Sequence, residues 1–233
     1  MSEFVFPATP VPTLAIQGAS ARFPVHRIYC IGRNYAEHAK EMGSAVDKSA
    51  PTFFLKPADA VVPGGGDVPY PPGTRELHHE VELVAALSAG GIDLSEADAL
   101  ACVHGYAVGL DLTRRDLQAE AKKRGGPWDT AKGFDASAPV SEIVPIARLG
   151  HPRTGRLWLE VNGERRQDAD IADMVHGVGE IVALLSRLFE LRAGDLVFTG
   201  TPAGVGPLVP GDRFEAGFAD VVRLAGQITG TAA

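Results

Sequence analysis

A chain of 233 residues, 45% of them hydrophobic, is long enough to bury a substantial core and falls in the range of one large domain. Its formal net charge of −7 excludes the basic stripe that a nucleic-acid surface needs, and no apolar run reaches membrane-spanning length. Cys30 and Cys102 are too few for a disulfide framework or a Cys-based zinc site. Both lie in apolar runs and read as buried thiols, with the cytoplasm as the default compartment.

In chain order, residues 1–24 are Pro-rich and weakly patterned, with one strand-like run at 13–16. They lack the basic and apolar regions of a signal peptide and read as a short appendage to a single domain over 25–233. RIYCI is a β-type run, followed by GRNY and then AEHAKEMG, a helical segment with Gly43 as its C′ glycine. His38 and Glu41, three apart, share a face of that helix. PTFFLK reads as a strand, and the Gly/Pro-rich stretch over 63–73 as a long loop. It leads to residues 78–87, HHEVELVAAL, where strand alternation turns Glu80 and Glu82 to one side while Val81 and Leu83 face the core.

Ser95 opens a short helix in a capping-box arrangement with Asp98. Residues 103–110 form an apolar strand with Asp111 at its end. Thr113 reads as the cap of the next helix, RRDLQAEAKKRG, which stops at Gly125-Gly126 and carries Arg115 and Gln118 three apart. Lys132 falls in a Gly-flanked loop over 125–139. IVPIARL (143–149) and LWLEV (157–161) read as strands, with an Asn162-Gly163 hairpin turn. Helical spacing returns over 175–191, and the strands LVFTG, RFEAGF and VVRLAGQI close the chain. Strands dominate, so the expected class is α+β, with a sizeable mixed or mostly antiparallel sheet and a few helices.

The chemistry gathers on the acids. Taken alone, Glu-x-Glu is an ordinary solvated sheet face. Asp111, delivered by a buried strand, has a cost there unless it is paired or bound to a metal. Three carboxylates suit a hard divalent cation, Mg²⁺ first and Mn²⁺ or Ca²⁺ next, better than zinc, which favours His and Cys. His78 shares the phase of Glu80 and Glu82 and is expected in a supporting role; His79 points away. His38 oriented by Glu41 has the form of a water-activating base. Lys132 offers charge to a developing oxyanion, and Arg115 with Gln118 a carboxylate clamp. AGVGPLVPG lacks the strand-and-helix context of a nucleotide loop.

IGRNYAEHAKEMG, PTFFLKPADAVV, HHEVELVAAL, GYAVGLDLTRRDLQAEAKKRGGPWDTAKGFDASAPV and GDLVFTGTPAGVGPLVPGD, in this order over about 26–228, resemble the fumarylacetoacetate hydrolase family. The start, FVFPATPVPTLAIQGASARFPVHRIYC, resembles its fumarylpyruvate hydrolase branch. The resemblance implies a homodimer built on the family's mixed β-sheet roll, with a Mg²⁺ or Mn²⁺ site at Glu80, Glu82 and Asp111, and His38, Glu41 and Lys132 as catalytic residues. It implies that Arg115, Gln118, Thr201 and Arg33 meet substrate; Lys56 also lies in a matching motif. The implied reaction is hydrolysis of a C–C bond in a 2,4-dioxo acid, fumarylpyruvate before others, within aromatic catabolism. Alternatives are an acylpyruvase, an oxaloacetate decarboxylase, or a dienoate isomerase or hydratase on the same scaffold. A non-catalytic metal-dependent binding protein is the reading from another class.

Overall fold

The computed structural model describes residues 4–41 and 51–230; the Gly43 helix end and most of the loop after it lie outside the described residues. The apolar runs assemble into two large sheets. The first is ordered Thr52–Lys56, Ile28–Gly32, Leu196–Phe198, Val81–Leu87, Val103–Leu110, Ala138–Val140, Val61–Pro63, with Val144–Pro145 also on Val103–Leu110. Two of its pairings are parallel, Leu196–Phe198 on Ile28–Gly32 and Ala138–Val140 on Val61–Pro63. The second runs Glu164–Asp170, Arg156–Val161, Arg213–Phe218, Val222–Thr229, Gly65–Pro69, parallel only at its last pair. Strands outnumber short helices, and the sheets are mixed, as the sequence implies.

Val81–Leu87 is buried along its whole length because cores lie on both sides of it. Val81, Leu83, Ala85 and Leu87 enter the larger cluster, with Leu157, Leu159 and Phe214 of the second sheet and Ile181 and Leu185 of the helix Val178–Ser186. Val84 and Ala86 face the smaller cluster. Each fully buried Leu or Val contributes about 1.5–3 kcal/mol relative to exposure. Thr13–Ala15 pairs with Arg22–Pro24, and Leu14 and Phe23 of that ribbon complete the smaller cluster. Among the described residues no helix is long and apolar enough to cross a membrane.

Four local expectations change. The single strand over 78–87 breaks at Glu80: Leu77–His79 joins Thr113–Arg114 and Gly206–Leu208 in a separate small sheet. The stretch read as a loop holds the strand Gly65–Pro69, whose glycines permit close approach, since a Cβ on Gly65 would lie 2.3 Å from the Ala225 carbonyl oxygen. In 143–149 only Val144–Pro145 is extended. Pro145 has no N–H to donate, and the helical turn Ile146–Leu149 follows it. The helix expected over 175–191 is regular only over Val178–Ser186. The Asn162-Gly163 hairpin holds, with both residues left-handed at φ 53 and 78.

Candidate active site

The acids come from one antiparallel strand pair. Register sets Val81 opposite Leu110 and Glu82 opposite Gly109, and the Asp111 N–H donates to the Glu80 carbonyl at 2.8 Å. Glu80, Glu82 and Asp111 thereby bring one oxygen each within 4.8 Å of the others, all buried. Their environments differ. Burial pushes the Glu82 carboxyl well above the usual range, and Asp111 and Glu80 add to it. Burial acts the same way on Glu80, but Lys132 and Arg115 outweigh it and hold that carboxyl well below.

Lys132 packs directly on this cluster. Its Nζ lies 2.7 Å from Glu80 Oε2, 2.5 Å from Asp111 Oδ2 and 2.7 Å from Thr113 Oγ1. Burial alone would lower its pKa; the two carboxylates reverse that and raise it. It ends the short helix Asp129–Lys132 instead of lying in a loop. Thr113, expected as a helix cap, is a strand residue that donates to the Asp111 carbonyl, and Arg114 precedes the helix Arg115–Arg124. The acceptors still exceed the donors. Asp111 Oδ1 has Lys56 Nζ at 2.9 Å but no aligned hydrogen-bond donor, and Glu82 receives the Gly200 N–H at 2.6 Å. A buried all-oxygen set with spare lone pairs fits a hard divalent cation and does not suit zinc.

His38, on the helix Ala36–Glu41, faces the same cleft, and its Nδ1 is 3.3 Å from Glu41 Oε2. Burial lowers the His38 pKa, with Glu80 and Glu41 opposing, so the ring is neutral near pH 7. Glu41 stands behind it and accepts the Gly204 N–H. Arg115 donates to Glu80, and to Gln118 Oε1 at 2.6 Å. His78 lies 3.4 Å from Arg115 Nε, its pKa pushed down to about 4 by burial and by Arg115, and it is outside the acid cluster. Thr201 Oγ1 donates to the Val81 carbonyl and accepts from Gln167. Arg33 lines the mouth in a left-handed conformation at φ 61. The cleft, about 430 Å³ with its open mouth included, is therefore lined by nine of the ten residues singled out from sequence, Glu41 being one shell removed.

Gln167, Trp128 and Lys122 carried no clear sequence signal, and Lys56 only a weak one. Lys56 is buried at 2% exposure and donates to the Leu112 and Lys132 carbonyls, which fixes the backbone under Asp111. In sequence it is a Lys that closes an apolar strand within a motif resembling the family's. Gln167 bonds His79, the Val81 N–H, Thr201 and the Pro202 carbonyl, joining the second sheet to the acid strand. Nothing in ERRQDAD sets it apart. Trp128 and Lys122 line the outer cleft.

Residues 27–229 match the model of the family described as Fumarylacetoacetate (FAA) hydrolase C-terminal. The chain belongs to the fumarylacetoacetate hydrolase family. It is 48% identical over 197 residues to the oxaloacetate tautomerase FAHD1, mitochondrial, of Mus musculus, covering 84% of this chain and 89% of that protein. It is 44% identical over 203 residues to the oxaloacetate tautomerase YcgM of Escherichia coli, covering 87% and 92%. The structure of fumarylpyruvate hydrolase from Pseudomonas aeruginosa in complex with Mn²⁺ and pyruvate superposes with a TM-score of 0.94 at 46% identity, covering 97% of this chain and 99% of that one. Members of this family are hydrolases and tautomerases, and the fold and family both agree with the sequence reading.

Proposed function

We propose that this protein is a Mg²⁺-dependent hydrolase of 2,4-dioxo acids that cleaves fumarylpyruvate to fumarate and pyruvate in aromatic catabolism, acting as a cytoplasmic homodimer. The observation that carries this reading is His38, backed by Glu41, facing the same cleft as three clustered carboxylates and a buried lysine. Glu80, Glu82 and Asp111 would hold the ion. When bound there, it would supply Lewis-acid polarisation of the 2-oxo acid head.

The side chains account for the rest. Arg115 and Gln118 hold the head carboxylate. His38 gives its Nδ1–H to Glu41, leaving Nε2 to take a proton from water. The resulting hydroxide adds to the keto carbon at position 4. The bond between carbons 3 and 4 then breaks, its electron pair passing to the pyruvate half, and Lys132 faces that negative charge. The proton on His38 returns to carbon 3, so one water is consumed and the two acids leave.

A second reading, oxaloacetate tautomerase, is supported by the identity to FAHD1 and YcgM. It needs only proton movement between carbon 3 and the 2-oxo oxygen, with no attacking water. It stands nearer the oxaloacetate and isomerase alternatives than C–C hydrolysis. A chelate-and-restore assay on fumarylpyruvate, acetylpyruvate and oxaloacetate separates them. Metal-restored release of fumarate and pyruvate supports the hydrolase. Keto–enol interconversion of oxaloacetate without any cleavage supports the tautomerase. No reaction with any of the three overturns both.

A further inference from the structure

The helix Arg115–Arg124 carries Arg115, Gln118 and Lys122 at i, i+3 and i+7, and this one face walls the cleft. Arg115 and Gln118 lie at the acid end. Lys122 stands two turns on, about 10 Å along the axis at 1.5 Å per residue. Its ammonium is 5.3 Å from the centre of the Trp128 ring. Burial, and then the charges of Arg115 and Arg33, hold Lys122 below the ordinary lysine value; Arg33 lines the same cleft.

The other cations around the acids are engaged: Arg115 with Glu80, Lys132 with Glu80 and Asp111, Lys56 with Asp111. Among the described residues neither Arg33 nor Lys122 pairs with an acid. Two half-buried cations lining one cleft repel each other unless an anion comes between them. The cleft thus carries two cations unpaired among the described residues on a chain whose net charge is −7, one of them, Arg33, on left-handed backbone at φ 61.

We infer that Arg33 and Lys122, walled by Trp128, form a subsite for a second carboxylate at the far end of the substrate, and so select long 2-oxo diacids over monoacids. The inference rests on the 2-oxo acid reading above, which puts the head carboxylate at Arg115 and Gln118. The distance from there to Lys122 suits the extended seven-carbon chain of fumarylpyruvate, whereas four-carbon oxaloacetate is too short to reach both anchors.

Calorimetric titration of the Mg²⁺-loaded protein with 2-oxopimelate and 2-oxoheptanoate, equal in length and different only in the terminal carboxylate, tests it. Wild type should prefer the diacid by about tenfold or more, the strength of one charge-assisted contact. Lys122→Met keeps the stem against Trp128 and removes the charge, so the ratio should fall to within about twofold of one; Lys122→Arg should restore the preference. Equal binding of the two acids by wild type, or an undiminished ratio in Lys122→Met, overturns the subsite while leaving the 2-oxo acid reading intact. Binding of neither acid overturns both.

Discussion

Glu82→Gln should move metal-free and metal-loaded stability in opposite directions. Glu82 is buried between Asp111 and Glu80, and burial first, then those neighbours, push its carboxyl well above the usual range. Gln has the same size and offers an amide oxygen to the Gly200 N–H that now meets Oε2. The variant therefore removes a buried ionisable group without opening a cavity, and in chelator, above that raised pKa where the wild-type carboxyl must ionise in place, it melts above wild type. The pH slope follows from the same shift. A carboxyl whose folded pKa exceeds its unfolded value binds its proton more tightly when folded. Metal-free wild type thus gains stability as pH falls through that raised pKa and loses it as pH rises; the variant lacks this slope. Metal reverses the order. A ligand at about 100 times its Kd adds about 2.7 kcal/mol, and for a chain of this size each kcal/mol is about 2–4 °C in Tm. Saturating Mg²⁺ should raise the wild-type Tm by about 5–10 °C and that of the variant by about 2 °C at most. Thermal melts in EDTA and in graded Mg²⁺ or Mn²⁺ read both effects. A wild-type Tm indifferent to both ions, or a full shift in the variant, would refute the reasoning.

Three further outcomes follow from the same geometry. His38→Ala should lower kcat about 10²–10⁴-fold while keeping the Mg²⁺ thermal shift; an unchanged rate removes His38 as the base. In wild type kcat/KM should fall as pH drops through the His38 pKa, which burial places below the ordinary 6.5, and Glu41→Gln, by removing a raising influence, should move that acid limb lower still. A limb that stays put would show that the pair is not coupled. Lys56→Met should cost about 3–5 kcal/mol in urea unfolding under chelator, because it strips Asp111 of a buried counter-charge; a loss below about 1 kcal/mol would mean that Lys132 suffices alone.

The parts of the site that sequence made legible are those that depend on local periodicity. Period two put Glu80 and Glu82 on one side, and helical spacing paired His38 with Glu41 and Arg115 with Gln118. Asp111 was visible as a charge ending a buried run. Distant partners left no such trace. Lys132 meets Asp111 across 21 positions of chain and Lys56 across 55, and neither flank announces the contact. Gln167 is one polar residue in a polar strand, recognisable only once its sheet lies against Val81. The break at Glu80 escaped because alternation does not report which sheet a strand joins. Gly65–Pro69 escaped because glycines needed for close packing and glycines of a loop look alike in composition.

All three acids lie within or immediately beside a single pair of bonded strands, whereas the base, the lysine and the outer rim arrive on separate helices and loops. The acids and the base therefore sit on different elements, while Arg115 and Lys132 tie the neighbouring helices to the acids. Exchanging the segment around Ala36–Glu41 for that of a relative would change the base while leaving the contacts of the acids with Arg115, Lys132 and Lys56 in place. A scaffold partitioned this way can diversify its chemistry one wall at a time.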